Sequence, residues 1–346
     1  MSKGKELKVV YHGVEDIRVE PFGEIPKVQD GEVLIKVEAC AICGSDVKTY
    51  KNGNPRMRPP AIIGHEFCGT ILETGKGVKK YKAGQRVTMA TTMGCGECIY
   101  CKEGKTNICK NATAMGFHCN GAMAAYTVVP AKAVQMGNIV DVGDLDAEIA
   151  ALSEPMSCAI NGLGRLPMAE IKSALIVGIG ALGMMHAVAL RDYGVQNIVT
   201  VSNPGVKKDI MESIGFKVVG REEIEESYLE LSGGDGFDLV IITAPSNKVQ
   251  SEAVKFARKS GYVSYFASLP VGNEMLALNS RTVHYNELIL YGTSDSTAAH
   301  VTEAGKILRK QKQTFEKIIT KLPIEDFQKG LDGILDKSLA KVVLIP

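Results

Sequence analysis

The segment Ala174-Leu175-Ile176-Val177-Gly178-Ile179-Gly180-Ala181-Leu182-Gly183 constrains this chain more than any other. An apolar run of strand character leads into glycines spaced G-x-G-x-x-G, and a helical pattern follows through Leu190. The first glycine permits a tight turn, the second lets backbone approach a pyrophosphate, and the third lets helix and strand pack closely. Gly178, Gly180, Ala181, Leu182 and Gly183 are therefore the candidate cofactor-binding loop, with free amides at the helix N-terminus for phosphate oxygens. Glycine spacing alone is a weak signal; the strand before it and the helix after it carry the reading. The stretch from Ala174 to Leu190 is shorter than the ~20 residues of a spanning helix. It also contains His186 and three glycines, so a strand-turn-helix in water is expected.

The same texture continues along the chain. Strand-like runs at Asn197 to Val201, Asp238 to Ile242, Tyr262 to Phe266 and Leu288 to Tyr291 alternate with helical stretches such as Lys207 to Ile214. That alternation predicts βαβ units and a doubly wound parallel sheet covered on both faces. Before about residue 150 the chain reads differently, with short alternating runs such as Val33 to Ala39, many glycines and Pro59-Pro60, which predicts a mostly β domain. The last ~50 residues are expected to hold one helix, Ala298 to Lys310, and a final strand, Lys341 to Ile345, that returns to the first domain. At 346 residues the chain suits two domains.

An NAD site would carry an acidic residue at the end of the second strand, roughly 20 positions beyond the glycine loop. Here that place is Ser202, followed by Asn203, with Lys207 and Lys208 beyond. Loss of the carboxylate removes repulsion of a 2′-phosphate, Ser202 and Asn203 can donate hydrogen bonds to it, and a lysine can supply charge. NADP is favoured and NAD stays possible; a solvated helix face is the other reading of the lysines.

Nine cysteines are present, and four fall at Cys95, Cys98, Cys101 and Cys109. That spacing is too tight for a scattered disulfide framework and suits a closed tetrahedral thiolate site, hence a structural zinc. An iron-sulfur cluster takes the same ligands. A second set is dispersed: Cys43, then His65 and Glu66, then Glu154. Cysteine, histidine and carboxylate are the mixed donors of a catalytic zinc with an open position. Each alone could instead be a core or surface residue.

Taken in order, Cys43-Gly44-Ser45-Asp46, Gly64-His65-Glu66, the cysteine lobe from Gly94 to Cys109, Gly121 to Tyr126, Ser153-Glu154-Pro155 and the glycine loop resemble the zinc-containing medium-chain dehydrogenase/reductase superfamily, in its sorbitol (polyol) and threonine dehydrogenase branch. The resemblance covers nearly the whole chain. It implies a GroES-like β-barrel catalytic domain over 1–154 and 293–346, with a structural zinc lobe at about 94–110, and a Rossmann dinucleotide-binding domain over 155–292. It implies that Cys43 and His65 ligate the catalytic zinc, with Glu66 and Glu154 dividing the remaining acid roles. Ser45 matches the hydroxyl that passes the alcohol proton away. Related enzymes often carry histidine where this chain has Lys48, so Lys48 serves as relay or phosphate contact, or the proton leaves by another route. That departure weakens the threonine assignment.

The expected reaction is hydride transfer between a secondary alcohol of a polyol or polyol phosphate, or the matching ketose, and NAD(P). Oxidation of an amino alcohol such as threonine is the alternative, and a non-catalytic nucleotide-binding protein a third reading. Lys48, Lys51, Arg56 and Arg58 cluster after the ligand loop and could receive a phosphate, or be a solvated basic loop. Phe117, His118 and Thr293 are candidate cleft residues. With Lys+Arg 40 against Asp+Glu 39, no basic field is available for nucleic acid or an anionic membrane. The start, Met1 to Glu6, has no apolar leader pattern, so a cytoplasmic protein is expected. By analogy with such enzymes, a homodimer or homotetramer is expected, pairing at the sheet edge near Leu288 to Tyr291.

Overall fold

The computed structural model describes residues 6–346; Met1 to Lys5, most of the start read above for a leader, lie outside the described residues. Two compact units result. One runs to Ser157 and resumes over Asp295–Pro346; the other is Cys158–Ser294.

The first unit opens with β1 (Leu7–Gly13), β2 (Asp16–Pro21), β3 (Val33–Ala41), β4 (Ala61–Ile62), β5 (Glu66–Thr74), β6 (Arg86–Met89), β7 (Thr92–Met93), β8 (Thr113–Ala114), β9 (Tyr126–Val129) and β10 (Ile139–Asp141). β3 is the axis of the larger sheet, antiparallel to both β5 and β9. The sheet continues outward through β6 and β10. Val33, Ile35 and Val37 share one face of β3 and pack with Phe67, Ile71, Val87 and Met89 in a single core. β1, β2 and β4 make a separate small sheet, and β7 pairs with β8 at the root of the cysteine lobe.

The second unit is a six-stranded sheet: β11 (Ser173–Val177), β12 (Asn197–Val201), β13 (Lys217–Val219), β14 (Phe237–Ile242), β15 (Ala257–Tyr265) and β16 (Ile289–Gly292). Every pairing is parallel, in the order β13-β12-β11-β14-β15-β16. β11 and β14 are buried along their whole length, which is why they read as continuous apolar runs. Strand order reverses between β11 and β14, the place where such sheets bind ligands. Helix Ala181–Asp192 follows β11 and helix Val206–Ser213 follows β12. Among the described residues no helix is long and apolar enough to cross a membrane.

The chain then returns to the first unit, and here the sequence-based expectation is corrected. Beyond helix Ala298–Lys310 come helix Lys312–Ile318, β17 (Ile319–Pro323) and helix Phe327–Leu335 before β18 (Lys341–Ile345), where one helix and one strand were expected. Helix Phe327–Leu335 is disguised by Gly330 and Gly333, poor helix formers. Tertiary packing overrides that cost: a Cβ on Gly330 would sit 2.9 Å from Val342 Cγ1, so the glycine lets the helix press on β18. β18 pairs antiparallel with β3 and parallel with β17. Phe327, Leu331, Val342 and Leu344 join the same core as Val33 and Ile35.

Candidate active site

β3 ends at Ala41, and Cys43 stands at the start of helix Gly44–Asn52. The buried Asp46 carboxylate accepts the Cys43 N–H at 2.9 Å and so fixes the turn that presents the thiol. Gly64 has φ +94°, and a Cβ there would meet Met123 at 2.7 Å and Cys40 Sγ at 2.9 Å, so only glycine lets the chain turn into His65 and Glu66. Ligand atoms of Cys43, His65 and Glu66 all lie within 4.8 Å of one another. His65 Nε2 faces the Ser45 hydroxyl at 3.4 Å, while its buried Nδ1 has no hydrogen-bond partner among the described residues.

Glu66 is paired with Lys341, whose ammonium also donates to the Ile42 carbonyl at 2.9 Å. Both side chains are almost wholly buried, at 1% and 4% exposure. Glu154 opens helix Ser153–Leu163, is buried, and has a ligand oxygen within 4.8 Å of Asp295 and of the Cys158 thiol on its own helix, a group separate from that of Cys43, His65 and Glu66. Burial pushes its carboxyl up to about 8; Glu66 and Asp295 add to the rise, and His65 and Lys341 oppose it. Burial likewise raises the Cys43 thiol and the Asp46 carboxyl. Three buried carboxyls and a buried thiol thus face the Lys341 ammonium and the His65 imidazole. Burial favours the protonated forms of Glu154, Asp46 and Cys43, and a divalent cation offers the charge that would let such donors ionise, so this donor set fits one. Lys48 is exposed on the same helix as Ser45, and Lys51, Arg56 and Arg58 are exposed beyond it. Phe117 packs against the His65 ring at 4.9 Å between centroids. His118 is exposed and turns back to its own loop, its Nδ1 accepting the Ala114 N–H at 3.0 Å.

The cysteine lobe is built around sulfur. The Sγ atoms of Cys95, Cys98, Cys101 and Cys109 lie within 4.8 Å of one another, and all nine cysteines are free. Backbone N–H groups point at them: Cys95 and Asn111 donate to Cys109 Sγ at 3.2 and 3.3 Å, and Cys98 to Cys95 Sγ at 3.4 Å. Donors of this kind favour thiolate, and backbone N–H groups of Cys101 and Lys110 bring the Cys98 thiol down to about 6. Gly94 packs against the cluster, since a Cβ would lie 2.8 Å from Cys101 Sγ. Four converging sulfurs with aligned amide dipoles fit a closed tetrahedral metal site.

In the second unit the glycines divide their work. Gly178 has φ +102°, and the Thr243 hydroxyl donates to its carbonyl at 2.6 Å. A Cβ on Gly183 would lie 2.1 Å from that same carbonyl, so the third glycine sets how closely helix Ala181–Asp192 approaches the strand. A Cβ on Gly180 would meet nothing within 4 Å, leaving open the space a pyrophosphate would take. Ala181 and Leu182 form the first turn of that helix. Ser202 lies just beyond β12, held to Val219 through its backbone N–H, and its hydroxyl donates to the Asn203 carbonyl at 3.0 Å. Asn203 is exposed, Lys207 is half-exposed, and Lys208 pairs with Glu212 at 3.3 Å. The buried Thr293 hydroxyl has no partner among the described residues.

Sequence reasoning quoted Asp46 within the Cys43-Gly44-Ser45-Asp46 segment without giving it a role, and missed Lys341, Asp295 and Thr243 as parts of these sites. Of those three, Thr243 had a local signal, its position directly after the apolar run of β14 at the reversal of strand order.

Comparison with known proteins agrees with this geometry. Residues 29–138 match the family model for the alcohol dehydrogenase GroES-like domain, and residues 181–309 that for zinc-binding dehydrogenase. The chain is 30% identical over 336 residues to the L-threonine 3-dehydrogenase of Bacillus velezensis, covering 93% of each. It is 29% identical over 334 residues to the D-arabitol-phosphate dehydrogenase of Enterococcus avium, covering 92% of this chain and 91% of that protein. A zinc-binding dehydrogenase of Sinorhizobium meliloti bound to NADP superposes with TM-score 0.86 at 25% identity, over 99% of this chain and 100% of that one. An Escherichia coli alcohol dehydrogenase complexed with NADH gives TM-score 0.86 at 25% identity over 99% of both chains. The protein belongs to the zinc-containing medium-chain dehydrogenase/reductase superfamily and is an oxidoreductase of the alcohol dehydrogenase type.

Proposed function

We propose that this dehydrogenase moves hydride between a secondary alcohol carbon of a polyol, or the matching ketose, and NADP(H). The observation that carries the reading is the acid-rich surroundings of Cys43 and His65, with Glu66 within 4.8 Å of both and the buried Glu154 close enough to feel the charges of His65 and Glu66. Cys43 and His65 would hold a zinc ion, with Glu154 as the third protein donor. Glu66, tied to Lys341, would act as the acid beside the metal that balances its charge. A zinc ion held there supplies Lewis acidity toward the substrate hydroxyl. Nicotinamide, carried by the second unit, supplies the hydride acceptor or donor. Ser45, with its hydroxyl at the His65 ring, takes the alcohol proton and passes it outward. Lys48 lies one helical turn on and is exposed. Cys95, Cys98, Cys101 and Cys109 would hold a second, structural zinc.

The absence of a carboxylate at Ser202 supports NADP over NAD, with Asn203 and Lys207 beside the ribose phosphate. β16 is the edge strand of the nucleotide-binding sheet and exposes Ile289, which supports self-association there into a homodimer or homotetramer. The B. velezensis relative's name supports a second reading, oxidation of threonine. Lys48 in place of a relay histidine argues against it.

An absorbance screen at the reduced-nicotinamide band tests both. Sorbitol, xylitol, arabitol, their phosphates, threonine and 2,3-butanediol are crossed with NAD and NADP. Turnover of a polyol or its phosphate with NADP is expected. Turnover of threonine alone would move the assignment to amino alcohols.

A further inference from the structure

The basic residues Lys48, Lys51, Arg56 and Arg58, on and after helix Gly44–Asn52, are not equivalent. Arg56 alone is docked: its guanidinium carbon sits 4.3 Å above the centroid of the Phe117 ring. That ring packs on His65, 4.9 Å between centroids. The guanidinium therefore lies no farther from the His65 ring than those two contacts together.

Both sides of the stack are anchored. Gly116, directly before Phe117, has φ +76°, and a Cβ there would meet the Gly64 carbonyl at 2.8 Å, so the loop carrying the ring is pressed against the turn that presents His65. On the other side Asn54 bonds the buried Thr49 hydroxyl at 3.2 Å and accepts the Arg56 N–H at 3.1 Å. The Met57 side chain is sunk in the core, so Arg56 is held between two fixed points.

No carboxylate among the described residues pairs with the Arg56 guanidinium. One of its faces lies on the ring, which leaves its N–H edges to bind outward. A stacked guanidinium of this kind is weakly hydrated and presents a rigid fork that matches an oxyanion bidentately. Its positive charge is close enough to help depress the pKa of His118, behind the larger effect of burial.

We infer that Arg56, seated on Phe117, binds a terminal oxyanion of the substrate, so that the preferred polyol carries a phosphate or carboxylate at the end remote from the reacting carbon. This rests on the polyol dehydrogenase reading above. A reach of no more than those two contacts together admits an anion a few carbons from a hydroxyl held beside His65. Lys48, Lys51 and Arg58 contribute only diffuse charge, which salt screens.

The test compares arabitol, arabitol phosphate and arabinonate, which share one carbon chain, on the zinc-loaded enzyme and on Arg56→Met and Arg56→Lys. The kcat/KM ratio of each anionic substrate to arabitol is read within each protein, so partial misfolding cancels. We expect the wild-type ratio to exceed one and to fall by about ten- to a hundredfold in Arg56→Met, mainly through KM. Arg56→Lys should recover only part of it. The arabitol phosphate and arabinonate arms decide which oxyanion the site takes. A ratio unchanged in Arg56→Met, or arabitol preferred by the wild type, overturns the inference while leaving the dehydrogenase reading intact. If none of the three turns over, that reading fails, and calorimetric binding of arabitol phosphate to the same proteins decides: equal affinity in Arg56→Met overturns the inference, and weaker affinity upholds it.

Discussion

Lys341 is where the charge balance of the candidate zinc site turns. Its ammonium neutralises Glu66 inside the protein, leaving Glu154 as the carboxyl that burial keeps protonated up to about pH 8. Cation binding at Glu154 must therefore expel a proton. Cation and proton compete, so affinity at this site weakens as pH falls below 8, by about tenfold per pH unit for each proton displaced. Competition titration with a chromophoric zinc chelator between pH 6 and 8 should give a shallower slope for Glu154→Gln by one proton. An unchanged slope would mean that Glu154 is not a ligand. Cys43, His65, Glu66 and Glu154 stand out in sequence as candidates because metal chemistry admits few residue types, and the fold brings the first three within 4.8 Å of one another. Lys341 does not, since it stands 275 positions from Glu66 and meets it only through the pairing of β18 with β3. Asp46 was in view within the Cys43-Gly44-Ser45-Asp46 segment but its role was not, because its acid works on a backbone N–H, a task that residue type alone does not announce.

At the scale of elements, the glycine loop separates folding from binding. A methyl at Gly183 collides with the Gly178 carbonyl, whereas one at Gly180 meets no protein atom. Gly183→Ala should therefore lower stability by about 1–3 kcal/mol, read by denaturant unfolding. Gly180→Ala should keep wild-type stability and weaken NADP(H) binding by about tenfold or more, read by quenching or calorimetry. Equal effects of the two variants on both readouts would show that the loop does not divide its work this way. Strand β12 and helix Ala298–Lys310 lie at the residues expected from periodicity, because each has a run long enough to set a period. Helix Phe327–Leu335 and the short β17 do not announce themselves, since packing against β18 stabilises them more than local propensity does.

At the scale of the molecule, the first unit is closed by residues from both ends of the chain, with Val342 and Leu344 in one core with Val33 and Ile35. The cysteine lobe is rooted in this unit by the two-residue strands β7 and β8, and a metal held by its four sulfurs would supply order that so small a core cannot. The two proposed zinc sites thus have separable duties, one in chemistry and one in structure. The decisive measurement is zinc content and polyol turnover determined together on Cys43→Ser. The account predicts a folded protein that keeps one zinc per chain, binds NADP(H), and loses turnover by at least about a hundredfold. Cys43→Ser that holds two zinc ions and turns over polyol at the wild-type rate would contradict it.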